Sequence, residues 1–391
     1  MIKNFIIYFK ENLLLSIVFI WALLPFFAYS QIARFGALIS FAIIILKNLN
    51  KKNAKIFFLF LFFIGYTFLI NGLASNPSFL LRHLQLHIFL LFIFLSFVIY
   101  TFPENRKKGI FNIILFLNII AIIGTILGLL INSSASRILA KSSEEAILLS
   151  EEGVGGYGLV YLNVLLFPIL LYVRKKVQDK YERILVYSNI IGVILLIFLA
   201  NFFIAILILL LQLLIFLIIR NSFSKIIIGL LSLFIVMLIS YNYLDIIDKF
   251  TYPLVENTNL RYKHADVFNM LQSRSTEYNT IEGRSERYAR SLKLFVESPL
   301  IGKLSFDDVG KHSSILDQFA QFGIVIGLLY INLNLIFPKL LLKSIKKNEK
   351  KYIIVFIISI ILVGLFNNYG LTLGIAFIVA ACSFPTNKIT K

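Results

Sequence analysis

The sequence predicts an all-α protein: a polytopic transmembrane helix bundle of about 12 spans, with one long extracytoplasmic loop that contains short helices. Three observations lead to it. Hydrophobic residues fill 59% of the 391 positions and mean hydropathy is +0.87, beyond the range of a water-soluble domain. Apolar runs close to the ~20 residues that cross a bilayer recur along the chain. The basic residues fall on alternate connections between those runs, as in a membrane protein with a defined orientation.

In order, the expected spans are 12–30, 32–46, 56–72, 84–102, 110–131, 154–173, 184–200, 202–219, 226–244, 314–337, 353–368 and 370–385. Lys3 and Lys10 precede the first, and Ala28-Tyr29-Ser30 at its end has the composition of a cleavage site. Its length, with Trp21 and Pro25 inside it, favours an uncleaved span. The connections after every second span, together with both termini, hold 24 of the 38 basic residues and five of the 20 acidic ones. The remainder holds 14 basic and 15 acidic residues, so the positive side is the cytoplasmic one and both termini belong there. The chain thus divides into an N-terminal bundle of about nine spans (1–244), an extracytoplasmic segment with a motif helix (245–313), and about three C-terminal spans with a short cytoplasmic tail (314–391).

Several function classes are excluded. A pI near 9.8 suggests nucleic acid, but the positive charge is dispersed over short loops facing an anionic leaflet, so no nucleic-acid partner is expected. GVGGYG at 153–158 opens an apolar span without the Lys-Ser/Thr of a phosphate-binding loop and suits a helix-packing surface. Cys382 is the single cysteine, so an internal disulfide or a thiolate metal site is ruled out. No metal cluster is evident, and the expected chemistry uses neither metal nor cofactor.

The extracytoplasmic segments are 73–83, which carries Arg82-His83; 132–153, with Arg137, Lys141 and four glutamates; and 245–313, with ten basic and ten acidic residues. A connection as long as the last is uncommon without structure and often carries function. Within it, Arg284, Arg287 and Arg290 step by three along a helix, beside an apolar stripe of Tyr288, Leu292 and Phe295. Ser298-Pro299 ends that helix, Gly302 permits a tight turn, and Ser313 or Ser314 caps the next apolar helix. His312 then stands at the mouth of a span, where an imidazole reaches both water and a lipid head group.

The order Gly283-Arg284, an aromatic and apolar run, Pro299 to Gly302, His312-Ser313, Leu316 and Gly323 resembles the signature of the O-antigen ligase and polymerase superfamily. The likeness covers about 45 residues closely and the rest by layout. GVGGYGLVYLNVLLFPILLY at 153–172 resembles a span of capsule-type, repeat-unit (Wzy-type) polymerases. Ser313 stands where many relatives have Asn, and Ala200-Asn201 stands where a Ser-Arg pair is common.

The resemblance implies a glycosyltransferase of the bacterial cytoplasmic (inner) membrane. It would polymerise undecaprenyl-diphosphate-linked oligosaccharide repeat units of an O-antigen or capsular polysaccharide at the outer face. A ligase that moves a finished glycan to another acceptor is the alternative, and a lipid-linked oligosaccharide flippase or transporter a further one. The implied partners are the polyprenyl-diphosphate-linked oligosaccharide, membrane lipids, a chain-length regulator and a flippase.

In such a reaction arginine forks grip the diphosphate, and a base near neutrality takes the acceptor's proton. His312 is the candidate base and Arg284 the first candidate for the leaving group; Arg287, Arg290, Asp317, Arg34 and Arg82 are candidates for binding substrate. Each arginine also has a plain reading as a residue snorkelling to head groups. Asp317 either orients the imidazole or an arginine, or pairs with Gln318, Gln321 or another helix. His87 and His264 suit structural roles.

Overall fold

The computed structural model describes residues 8–73, 77–132, 135–139, 144–218, 252–253, 256, 280–304 and 308–385. The expected span 226–244, His264 and Lys141 lie outside them. Among these residues the architecture is all-α, without a strand.

The first half comprises α1 (Leu13–Leu23), α2 (Gln31–Asn48), α3 (Lys51–Leu73), α4 (Pro77–Tyr100), α5 (Glu104–Ile131) and the short α6 (Ala135–Ile138) and α7 (Glu144–Glu151). Then come α8 (Tyr157–Val173), α9 (Lys180–Ala200), α10 (Phe203–Ile218), α11 (Thr280–Glu297), α12 (Ser314–Ser344), α13 (Lys350–Phe366) and α14 (Gly374–Ser383). Five are long and apolar enough to cross a membrane: Gln31–Asn48, Asn53–Ile70 within α3, Glu104–Ile131, Lys180–Ala200 and Ser314–Ser344.

Two expected boundaries change in the first half of the chain. The 12–30 run is an 11-residue helix followed by a corner, because Pro25 holds Leu24 extended (φ −87°, ψ 116°) and a 3₁₀ turn, Pro25–Phe27, leads to Ser30, which caps α2. The 73–83 segment is mostly helix. Proline suits a first helical position, so α4 starts at Pro77 and takes in Arg82 and His83.

The helices that are apolar all round lie at the centre, as expected for surfaces that meet protein on every side. α14 is buried from Gly374 to Ala381 and packs on α4, α5 and α8; α8 is buried along almost its whole length. The outer helices instead expose large apolar side chains, among them Ile32, Phe35, Phe62, Ile191, Phe198 and Leu210, a surface suited to lipid tails. The glycines of 153–158 permit close packing. A Cβ on Gly124 would run into the Gly153 carbonyl, and one on Gly158 would lie 3.2 Å from the Thr372 hydroxyl, a tight fit. Buried amides tie helices together: Asn118 donates to Asn163 (2.8 Å) and Asn189 (2.9 Å), joining α5, α8 and α9. Gln212 of α10 donates to the Val164 carbonyl (2.9 Å) and to Ser359 of α13 (2.7 Å). Such bonds average about 0.6 kcal/mol each in a membrane interior.

Bonds between the connections follow the charge pattern. At one end Arg106 donates to Asn12 (3.0 Å), Lys108 pairs with Glu182 (2.8 Å), Lys176 pairs with Glu349 (3.0 Å), and the Tyr100 hydroxyl donates to the Pro385 carbonyl (2.9 Å). At the other, Ser150 donates to the Pro25 carbonyl (2.6 Å), Tyr288 to the Phe366 carbonyl (2.9 Å) and Asn368 to the Lys311 carbonyl (2.8 Å). Each set joins connections that the sequence assigns to one side.

α12 is two helices around a break at Gly323 (φ 73°, ψ −174°). Ser314 and Tyr330 would stand about 24 Å apart on a straight helix. Yet the Ser314 hydroxyl accepts from the Tyr369 amide (2.6 Å) while the Tyr330 and Tyr369 rings lie 6.2 Å apart. Residues 314–322 therefore cross the end of the bundle, and 324–344, about 31 Å of helix, form its long arm. The expected span 314–337 is corrected accordingly. Glycine at 323 takes a left-handed φ at little steric cost, which is why the turn falls there.

Candidate functional site

The site is built on α11 and the connection into α12. Glu297 is the last residue of α11, with Ser298-Pro299 beyond it; Gly302 turns with φ 77°, and Ser313 caps α12 by accepting from the Leu316 amide (3.0 Å). These agree with the sequence. The buried face of α11 does not. Ser291 is 1% exposed and Leu292 48%, so the stripe runs Tyr288, Ser291, Phe295 and not through Leu292. Phe295 meets Phe319 edge-on at 5.4 Å, and Tyr288 meets Phe366 at 6.3 Å.

The turn after α11 and the break in α12 complete each other. A broken helix leaves carbonyls and amides without intrahelical partners. Here the Lys303 and Leu304 amides donate to the Ala320 (3.0 Å) and Gln321 (2.9 Å) carbonyls, and the Ile324 amide donates to Pro299 (2.8 Å). The approach is too close for a side chain at either glycine: a Cβ on Gly302 would overlap the Gln321 carbonyl, and one on Gly323 the Leu300 carbonyl. Beside this junction Lys303 pairs with Glu297 at 2.9 Å, and its hydrogen bond and charge hold that carboxyl below the usual range.

Residues 310–313 are held from three directions. Gly310 lies so close to α11 that a Cβ would strike the Arg287 carbonyl, and its amide donates to Ser291 Oγ (2.9 Å). Ser291 in turn donates to Asp317 Oδ1 (2.6 Å), whose Oδ2 accepts from the Ser313 amide (3.2 Å); the Lys311 and His312 amides also bond to this carboxylate. Lys311 sits at φ 62°, a left-handed geometry uncommon for a side-chain-bearing residue, and Asn368 grips its carbonyl. Asp317 thus fixes the backbone that carries His312, and its two oxygens serve amides and a hydroxyl.

Arg287 Nη1 meets His312 Nε2. Arginine can only donate, so Nε2 holds the lone pair in this contact and the ring proton is on Nδ1. One helical turn earlier, Arg284 belongs to the same helix; its side chain lies outside the described residues. Arg290 is exposed. Arg34 stands in the first turn of α2, which packs mainly on α1, so the structure does not join it to this pair. Arg82 and Arg137 have described backbones only. His87 is buried and bonded to Thr67 (2.8 Å), a packing role as expected.

No family model, characterised protein or solved structure matches this chain. The site is therefore read from its own chemistry: an arginine helix laid against an imidazole, on a connection locked by one carboxylate. The sequence pattern does not single out Ser291, Gly310 or the 367–369 segment. Ser291 had a usable signal, since it lies three and four residues from Tyr288 and Phe295 and so at the centre of their stripe. Gly310 and the 367–369 segment had none, because their partners are distant in the chain.

Proposed function

We propose that this protein is a membrane glycosyltransferase of about 12 spans, with both termini cytoplasmic. In this reading it polymerises undecaprenyl-diphosphate-linked oligosaccharide repeat units at the outer face of the bacterial cytoplasmic membrane. The observation that carries it is the meeting of Arg287 with His312 at the end of the bundle away from the lysine-rich connections. The motif likeness at 283–327 supplies the substrate class.

The step needs little covalent help from the protein. A sugar hydroxyl attacks the anomeric carbon of the lipid-linked donor, forming the new C–O bond. The bond from that carbon to the diphosphate breaks, and the leaving diphosphate keeps the electron pair. The hydroxyl proton passes to His312 Nε2. Arg287, with Arg284 and Arg290 along the same helix, neutralises the diphosphate through paired N–H donors. The Arg287 contact gives this an order: a bound diphosphate draws the guanidinium away and frees the Nε2 lone pair for the acceptor. The base is thus exposed once the donor is in place.

The test is a gene-deletion strain complemented with variants, with the surface glycan separated by length. His312→Ala and Arg287→Ala that insert normally are expected to leave single capped units, the loss of a general base being worth roughly 10²–10⁴-fold. Full-length glycan from both variants contradicts the assignment. Uncapped acceptor with long lipid-linked chains would indicate a ligase instead. The second reading, a transporter of lipid-linked sugar, is favoured by the interrupted α12. It requires the deletion strain to lose lipid-linked units from the outer face.

A further inference from the structure

At the far end of α13 from His312, about 25 Å along its 17 residues, a cavity of about 250 Å³ opens where α8 ends and α13 begins. Its walls include Tyr172, Lys175, Lys176, Glu349, Lys351 and Tyr352. Glu349 is already engaged: it pairs with Lys176 (3.0 Å) and accepts from the Tyr172 hydroxyl (3.2 Å). Lys175 and Lys351 are different. Their ammonium groups stand 5.7 and 5.6 Å from the centroid of one ring, Tyr352, and neither has a carboxylate partner among the described residues.

The ring attracts both cations but cancels neither charge. Three lysines and one glutamate leave the cavity with two positive charges to spare, in space equal to roughly eight waters at liquid density. Its two tyrosines are packed by further rings, with Tyr172 stacked on Phe384 (4.2 Å) and Tyr352 against Phe216 (5.2 Å). From Phe216 the exposed apolar side chains Leu213 and Leu210 continue along α10, and Ile354 is exposed on α13 one turn past Lys351. A small cationic cup thus opens onto an apolar strip.

We infer that this cavity holds the phosphate head group of an anionic phospholipid, with Lys175 and Lys351 on the phosphate and the acyl chains along the α10–α13 face. Basic pockets between apolar helices at head-group depth bind such lipids. The inference stands apart from the proposed chemistry, whose residues lie at the other end of α13.

Native mass spectrometry of the full-length detergent-solubilised protein tests it, with phosphatidylglycerol, phosphatidylcholine and inorganic phosphate as separate probes. The expected result is retention of phosphatidylglycerol over phosphatidylcholine, weakened about tenfold or more by the pair Lys175→Gln and Lys351→Gln. The pair Lys343→Gln and Lys346→Gln, which removes two positive charges outside the cavity, is expected to leave retention unchanged. Equal retention of the two lipids, or equal loss in the two double variants, overturns the inference. Inorganic phosphate binding as tightly as the lipid overturns the lipid as its source.

Discussion

The carboxylate of Asp317 has more partners than any other side chain near His312, and none of them is the imidazole. It accepts from Ser291 and from the amides leading into α12, so its work is to hold a connection in which Lys311 is left-handed. Removing one member of such a network leaves a buried group unsatisfied, at about 1–3 kcal/mol. Ser291→Ala and Asp317→Asn are each expected to lower thermal stability in detergent and to be non-additive when combined, with a coupling of about 1 kcal/mol. Additive effects in that double-mutant cycle would dissociate the two. The sequence left Asp317 with two roles because its spacing from His312 suits either. Which applied depended on Ser291, a residue 26 positions away.

Elements were legible where their punctuation is local. The stop of α11 at Ser298-Pro299 and the cap at Ser313 could be read from neighbouring residues. The break in α12 could not, since Gly323 also fits a straight helix and becomes a corner only because 299–304 supplies partners for the freed backbone groups. Gly323→Ala is expected to be more damaging than an ordinary glycine replacement in a helix, which is neutral or stabilising; it combines a strained φ with an overlap at Leu300. A large drop in melting temperature checks this, and an unchanged one counts against the junction. The start of α9 gives a pH test. The Glu182 amide, followed by the Tyr181 amide and Lys108, holds the Asp179 carboxyl below its ordinary 3.8. A lowered value means that the folded chain binds fewer protons than the unfolded one. The stabilisation is therefore complete above the ordinary value and lost as pH falls through the lowered one. The wild type is expected to melt above Asp179→Asn at neutral pH, with the gap closing as pH falls below the ordinary 3.8. A gap of constant size would contradict this assignment.

For the whole molecule, charge was the most informative signal. Short-loop lysines and arginines divided the connections into two sets, and the bonds among the described connections fall within those sets. Composition and run length identified an all-α membrane bundle, but run length misjudged 12–30 and 314–337, where a proline and a glycine turn the chain inside an apolar stretch. In the proposed orientation α11 and His312 face the opposite side of a membrane from Lys176, Glu349 and the lysines around them. That separation is the central claim, because a lipid diphosphate at the outer leaflet can meet the Arg287–His312 pair only if α11 faces outward. Single cysteines at exposed sites measure it directly, as Lys293→Cys and Lys347→Cys in a Cys382→Ser background, labelled in intact cells with a membrane-impermeant maleimide. The expected result is labelling of the 293 variant in intact cells and of the 347 variant only after permeabilisation; the reverse pattern, or labelling of both from outside, would contradict it.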